Sequence, residues 1–307
     1  MIATTHALRT LAELLRKHDY EFISVTPVTH MRVNARAMAR GPLRAKSLRD
    51  VFGWNWPFQP ELVPAEMLDC LRAADALETV DDCVRSRVRF STLDHQLYVH
   101  SAFPTTDPTA VFFGPDTYRF ASLLARWAPK AKRAVDIGCG TGAGLLSIKE
   151  RLESLVLADI NPLALQYAEV NAASADRSCE IVQSDILAAV SGNPDLIVAN
   201  PPYLHDEAAR VYRHGGEGLG TALGVRIVDE ALARLRGGGT LIVYTGTPIV
   251  NGVDLFHAAL RPRLDAVRAE ILYDMLDPDV FGEELDNAAY SDVERIAVVA
   301  LRVCLSR

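Results

Sequence analysis

Three clusters of residues in this chain of 307 have the types and spacing of groups that hold ligands or do chemistry. The first is Asp136-Ile137-Gly138-Cys139-Gly140-Thr141-Gly142-Ala143-Gly144, an acid followed by alternating glycines. Glycine admits positive φ and lets a ligand approach the backbone, so such a run suits a dinucleotide, a phosphate or simply a tight turn. The second cluster begins at Asp159-Ile160-Asn161, with its acid about twenty residues after the loop, where a carboxylate can accept both hydroxyls of a ribose. Ser184-Asp185 extends it with a polar pair able to receive an adenine amino group. The third is Asn200-Pro201-Pro202-Tyr203. Two prolines fix the backbone and supply no amide hydrogen, so the carbonyls before and between them face outward as free acceptors.

The chemistry open to that third cluster concerns a planar nitrogen. The lone pair of an amide or aromatic amine is delocalised, which makes it a poor nucleophile. If the Asn200 side-chain oxygen and the Pro201 carbonyl accept its two hydrogens, the nitrogen is oriented and drawn toward pyramidal geometry. No strong base is then required, because the proton leaves a cationic product readily. Tyr203 can stack on a planar acceptor. An ordinary strand-ending turn is the plainer alternative. His205, His214 and Glu217 follow closely and can relay a proton, or be polar residues of a loop whose glycines, from Gly215 to Gly220, suit a gate.

These clusters meet only if each sits at the end of a strand in one sheet. From Arg133 short aliphatic runs alternate with helical segments, as in a parallel sheet of βαβ units. The pattern predicts strands over 133–137, 155–159, 179–183, 196–199 and 240–244, and helices near 142–152, 162–173 and 221–235, the last stopped by Gly237-Gly238-Gly239. A helix near 253–260 and strand-like runs at 269–273 and 295–303 follow, the latter suited to a closing antiparallel hairpin. Three successive strand ends then form a nucleoside-shaped crevice. A nicotinamide enzyme is an alternative, but an acid ahead of the first glycine favours a methyl donor, whose loop and methionyl ammonium Asp136 can order.

Residues 110–303 resemble the class I S-adenosylmethionine-dependent methyltransferases. The resemblance implies a doubly wound α/β fold, Rossmann-like, with a mostly parallel seven-stranded sheet, the last strand antiparallel, and S-adenosyl-L-methionine as cofactor. It implies that Asp136, Gly138 and Gly140 contact the amino acid part of the donor, Asp159 the ribose and Asp185 the adenine. Asn-Pro-Pro-Tyr resembles the motif of the protein glutamine N5-methyltransferases that modify release factors, and of adenine N6 and guanine N2 methyltransferases. Phe112-Phe113-Gly114-Pro115-Asp116-Thr117 is similar to the segment preceding the domain in the glutamine group, although the same residues can simply open a helix with Pro115 and Asp116. With Cys139, Gly142, Ile160, Asn161, Ser184, Asn200, Phe113 and Thr117 added, these residues form the expected cofactor site; Asn200, Pro201, Pro202 and Tyr203 form the expected catalytic site, and no metal is expected.

Residues 1–110 read differently, as a helical or winged-helix-like module for substrate recognition, ahead of a methyltransferase domain over 111–307. Helices are expected at 5–17, 47–53 and 64–76, then a hairpin of 87–91 with 96–100, and a linker over 103–110. The N-terminal part does not read as the five-helix bundle of bacterial release-factor enzymes. The closer resemblance is to methyltransferase small-domain proteins. Charge is balanced over the first 110 residues, and the formal −7 arises beyond them, which weighs against nucleic acid as partner. A basic run, Arg32, Arg36, Arg40, Arg44, Lys46 and Arg49, meets no acid before Asp50 and suits RNA, an acidic partner surface or solvent. Trp54 and Trp56 suit packing. Five cysteines without C-x-x-C spacing indicate neither zinc nor disulfides. No apolar run is long enough for a membrane span, so a cytoplasmic enzyme is expected, with a protein or small amine or amide as acceptor. RNA or DNA base methylation is the alternative, and a non-catalytic donor-binding regulator is a third.

Overall fold

The computed structural model describes residues 2–206 and 210–307. Four helices come first, α1 (Ile2–Lys17), α2 (Pro27–Met38), α3 (Leu48–Phe52) and α4 (Ala65–Ala73). Two antiparallel hairpins follow, β1 (Leu77–Val80) with β2 (Cys83–Ser86), and β3 (Val88–Leu93) with β4 (Gln96–Ser101). The second hairpin is the one expected from the sequence, whereas α2 and the first hairpin lie where the pattern is mixed. In α1 the residues Leu8, Leu11, Ala12 and Leu15 recur at three- and four-residue intervals and are buried, the stripe of an amphipathic helix.

Beyond these come α5 (Pro115–Trp127), β5 (Ala131–Ile137), α6 (Ala143–Leu146), β6 (Leu152–Asp159), α7 (Pro162–Ser174), β7 (Glu180–Gln183), β8 (Leu196–Ala199), α8 (Ala222–Arg234), β9 (Thr240–Val250), β10 (Val253–Asp254), α9 (Leu255–Leu264), β11 (Ala269–Val280) and β12 (Arg295–Leu305). The main sheet runs β11-β12-β9-β8-β5-β6-β7, with the two-residue β10 pairing β9 as an eighth strand. Strands β5 to β9 pair in parallel, and β12 lies antiparallel between β9 and β11. This is the doubly wound, mostly parallel sheet expected, closed by the expected hairpin.

Alternation along each strand feeds two cores. Ala134, Leu155, Leu157, Leu196, Val198, Ile242 and Tyr244 face one, with Phe120, Leu123 and Leu124 of α5. Val135, Ile137, Val156, Ala158, Ile197, Ala199, Leu241 and Val243 face the other, with Ile227 and Val228 of α8 and Phe256 and Leu260 of α9. Burial on both faces is why these strands read as unbroken aliphatic runs.

One expectation is corrected. The helix expected over 142–152 is the four-residue α6, followed by a 3-10 turn at Lys149–Arg151. Ser147 Oγ donates to the Gly144 carbonyl at 2.7 Å, and a serine bonding back in this way competes with continued helix. Ala164, Tyr167 and Val170 of α7 share one core with α1 and α4. Asn171 of α7 stitches the junction: its Oδ1 accepts the Val99 amide at 2.8 Å, and its Nδ2 donates to the Val99 carbonyl at 3.2 Å and the Thr141 carbonyl at 2.9 Å.

Candidate active site

The register puts Ile137 beside Ala158 and Ala199, and Asp159 beside Gln183. The loops after β5, β6, β7 and β8 therefore all leave one edge of the sheet, at its carboxyl end, where open α/β sheets bind ligands. They surround a cavity of about 250 Å³.

The glycine loop forms one wall. Gly138 and Gly140 have φ of +65° and +53°, and a Cβ on either would meet nothing within 4 Å. The loop thus presents bare backbone to open space, the cradle a ligand would fill. Asp159 fixes it: Oδ2 accepts the Gly140 amide and Oδ1 the Asn161 amide, both at 2.9 Å. Burial pushes the Asp159 carboxyl up, and the Asn161 and Gly140 amides pull it back. Asn161 in turn caps α7, its Oδ1 accepting the Leu163 amide at 3.0 Å, and its Nδ2 donates to the Thr109 carbonyl at 2.7 Å.

Asp136 lies deeper, 2% exposed, and its Oδ2 has no partner among the described residues. Burial raises its pKa to about 8, against the pull of the Leu145 amide. A buried polar atom without a partner is costly, and a group able to pair with it is what this carboxyl lacks. On the far side Ile160 is 54% exposed and faces the cavity with Ser184 and Asp185. Arg226 Nη2 pairs with Asp185 at 3.1 Å, and Ser184 Oγ accepts the Ala189 amide at 3.0 Å.

Asn200, Pro201 and Pro202 line the same cavity with Tyr203. The Tyr203 hydroxyl donates to Asp116 Oδ2 at 2.5 Å, and the Tyr244 hydroxyl to Asp116 Oδ1 at 2.9 Å. Arg119 Nη1 reaches the same carboxylate at 3.2 Å. Burial pushes the Tyr203 hydroxyl well up, with the charge of Asp116 adding to it. The Tyr203 ring packs on Gly246, where a Cβ would lie 2.1 Å from it, and meets Phe281 edge-on at 6.0 Å. This tyrosine is thus clamped at both its ring and its hydroxyl.

The loop beyond the turn packs back on it. A Cβ at Gly215 would fall 2.0 Å from the Gly220 carbonyl and 2.8 Å from that of Pro202; at Gly220, with φ of +94°, it would fall 2.3 Å from the Tyr203 carbonyl. Close approach of two backbones, rather than a hinge, accounts for these glycines. Asp206 is buried and bonded by Arg210, whose Nε donates at 2.9 Å, so its carboxyl is held down at about 2. Arg213 pairs with Asp206 and with Glu284.

Asp136, Gly138, Cys139, Gly140, Asp159, Ile160, Asn161, Ser184, Asp185, Thr117 and the four residues of the turn all line this one cavity. Two expected residues do not. Phe113 is core, stacked on Tyr98 and His100, and its neighbour Phe112 takes the cavity wall. Gly142, in the left-handed region, points a would-be Cβ at Leu157, Leu146 and Ala168, so it serves packing. His205, His214 and Glu217 are likewise outside the lining; His214 Nδ1 accepts the Asp206 amide at 3.3 Å. Sequence reasoning missed Tyr244, Tyr212, Arg213 and Phe281. Only Asp116 gave a signal, inside the segment before the domain. Among the described residues no cluster of three His, Cys, Asp or Glu is placed to hold a metal, and no helix is long and apolar enough to cross a membrane.

Comparison with known proteins agrees with this geometry. Residues 119–249 match the family described as methyltransferase small domain. A release factor glutamine methyltransferase of Deinococcus radiodurans is 33% identical over 156 residues, 45% of this chain and 55% of its own. A tRNA1(Val) (adenine(37)-N6)-methyltransferase of Tolumonas auensis is 36% identical over 114 residues, 33% of this chain and 48% of its own. The chain thus spans about half the length of these curated relatives. The M. jannaschii tRNA m1G37 methyltransferase has a similar fold, with a TM-score of 0.50 at 16% identity, over 72% of this chain and 57% of its own.

Proposed function

Residues 119–249 belong to the methyltransferase small-domain family, in the fold of the class I S-adenosylmethionine-dependent methyltransferases, and on that premise we propose that this enzyme methylates a planar nitrogen, that of a protein glutamine side-chain amide or of a small amine or amide. The observation that carries this is the meeting of the glycine loop and the Asn-Pro-Pro-Tyr turn in one cavity. The bare glycine loop, the buried Asp136 with an oxygen unpartnered among the described residues, and the Asn-Pro-Pro-Tyr turn leave neighbouring strands and line the same space. S-adenosylmethionine, when bound, supplies an electrophilic methyl carbon.

The residues present fit that donor. Gly138 and Gly140 leave room along the loop, and Asp136 offers a carboxyl to the methionyl ammonium. Asp159 stands where it can take the ribose hydroxyls, and Ile160 offers an exposed aliphatic face to the adenine with Ser184 and Asp185 at its edge. Asn200 Oδ1 and the Pro201 carbonyl hold the two hydrogens of the acceptor nitrogen, which orients its lone pair toward the donor. Tyr203, clamped by Asp116 and Gly246, keeps the turn in place. The buried walls exclude water from the transfer.

Asn200→Ala should abolish turnover and leave donor affinity, measured by calorimetry, unchanged. A loss of donor affinity of the same size would refute the role given to Asn200. Labelling an extract with radioactive donor identifies the acceptor class: label in protein or small-molecule fractions supports the proposal, and label removed by nuclease replaces it with base methylation.

A further inference from the structure

We propose that α2 is a docking helix for an acidic polypeptide, along which the methyl-accepting nitrogen is brought to the cavity. This rests on the acceptor chemistry above and names the kind of partner that presents it.

Helix α2 starts at the cavity. Pro27, its first residue, lines the wall with Thr105 and Phe112. Of its twelve residues only His30 is buried. That histidine fastens the helix, with Nε2 bonded to the Trp54 carbonyl at 2.9 Å and the ring stacked on Phe103 at 3.9 Å. The Trp56 indole adds a bond to Asn34 at 2.9 Å. Pro27, Val28, Val33, Asn34 and Ala37 are half-buried and the remaining residues are exposed, unlike α1 or α5, each of which buries a stripe.

What it presents is not ordinary surface. Arg32 and Arg36 are exposed and lie four apart on the helix, so their side chains neighbour each other at a spacing of about 6 Å, and the exposed Arg40 follows in the turn just beyond the helix. Arg44 pairs with Asp82, but these three stand in no ion pair among the described residues. Between Glu21 and Asp50 the chain has no acid, against an overall formal charge of −7. An acidic partner is therefore attracted along these arginines and repelled by much of the remaining surface.

Apolar exposure decides between the two kinds of polyanion. Met38 is 61% exposed, Ile23 60% and Met31 53%, among the most exposed large apolar side chains described, and all three lie on α2 or just ahead of it. Methionine and arginine together are what protein interfaces enrich. A phosphate backbone would use the arginines and leave the aliphatic groups in water. An acidic polypeptide with an apolar face uses both.

The test uses the full chain and two fluorescent probes, an amphipathic helical peptide of Glu, Leu and Gln and a mixed-sequence single-stranded RNA. The expected result is peptide binding that weakens as salt is raised. Arg32→Glu with Arg36→Glu and Arg40→Glu should weaken it by about tenfold or more, and Met31→Ser with Met38→Ser severalfold. If the reversed-charge variant melts lower than the parent, the Arg→Gln set takes its place. Peptide affinity unchanged in these variants, no peptide binding by the parent, or tighter binding of RNA would overturn the proposal. Donor affinity is measured on the same samples: its absence in the parent defeats the methyltransferase reading alone, while the peptide titration still decides the docking surface.

Discussion

Replacing Asp136 by Asn tests whether an acid is kept under the cavity for a cationic ligand. In the free protein this side chain is buried with one oxygen unpartnered among the described residues, and burial lifts its pKa from 3.8 to about 8. Because the folded value lies above the unfolded one, the stability is fully present below pH 4 and is lost as pH rises toward 8. The loss runs at about 1.4 kcal/mol per pH unit, or about 3 kcal/mol between pH 5 and pH 7. Asparagine keeps the shape and does not titrate, so the variant escapes that loss. The melting temperature of the variant relative to the parent should therefore rise by about 5 °C between those two pH values. Donor affinity should move the other way. A bound ammonium favours the ionised carboxyl, so the parent should bind S-adenosylmethionine more tightly from pH 6 to pH 8 and release a proton on binding. The variant should bind about tenfold more weakly at pH 8, with little pH dependence. Scanning fluorimetry reads the first quantity, and calorimetry in two buffers of different ionisation enthalpy reads the second. Parallel melting curves for the two proteins at every pH would refute the burial argument; equal donor affinity at pH 8 would refute the role of the carboxyl.

Other substitutions probe the acceptor wall. Tyr203→Phe removes the hydroxyl bonded to Asp116, a loss of about 1 kcal/mol; kcat/KM should fall severalfold with the change in KM for the acceptor, and a matching fall in donor affinity would argue against separate donor and acceptor parts of the cavity. Gly220→Ala places a Cβ against the Tyr203 carbonyl at a φ of +94°. The turn must shift, and since misplacement of about 1 Å can cost about a hundredfold, kcat should drop on that order while the donor still binds; a fully active variant would show that the loop does not brace the turn.

The strands and their terminal loops were legible because strands buried on both faces must be aliphatic throughout, and because the loops carry residues that few other settings require. Leu196–Ala199 agrees to the residue with the expected strand. Other features depended on contacts that a linear pattern does not encode. Phe112 and Phe113 are alike in sequence, and only the turn of the backbone sends one to the cavity and the other to the core. Helix α2 has one buried residue, so it leaves almost no periodic apolar signal, although Thr26 as its cap and Pro27 at its first position are ordinary start signals. The glycines of 215–220 suggested a gate by composition, but composition does not reveal that two of them are pressed against the carbonyls of the acceptor turn. Asp116 was visible as a helix-opening acid; its bonds to Tyr203 and Tyr244 join residues 87 and 128 positions away.

Those long-range bonds bear on selectivity. On the proposed function Asn200 Oδ1 and the Pro201 carbonyl take the two hydrogens of the acceptor nitrogen, and an amide NH2 and an exocyclic amine of a base present nearly the same pair. The turn can therefore hold either without preference, however rigidly Asp116, Gly246 and Gly220 brace it. Discrimination has to come from the rim, and the rim is also fixed. Phe112 stacks on Tyr212 at 5.9 Å, the Tyr212 hydroxyl donates to the Thr105 carbonyl at 2.7 Å, and Arg213 is tied to Asp206 and Glu284. With its carboxyl held at about 2, Asp206 keeps its charge across the physiological range, so this tie does not loosen with pH there. A rim that is rigid near the reacting nitrogen selects by shape, whereas on the docking proposal Arg32 and Arg36 of α2, with Arg40 just beyond it, select by charge farther out. Salt should thus raise KM for a macromolecular acceptor without lowering kcat, because screening weakens the exposed arginines and leaves the buried turn as it was.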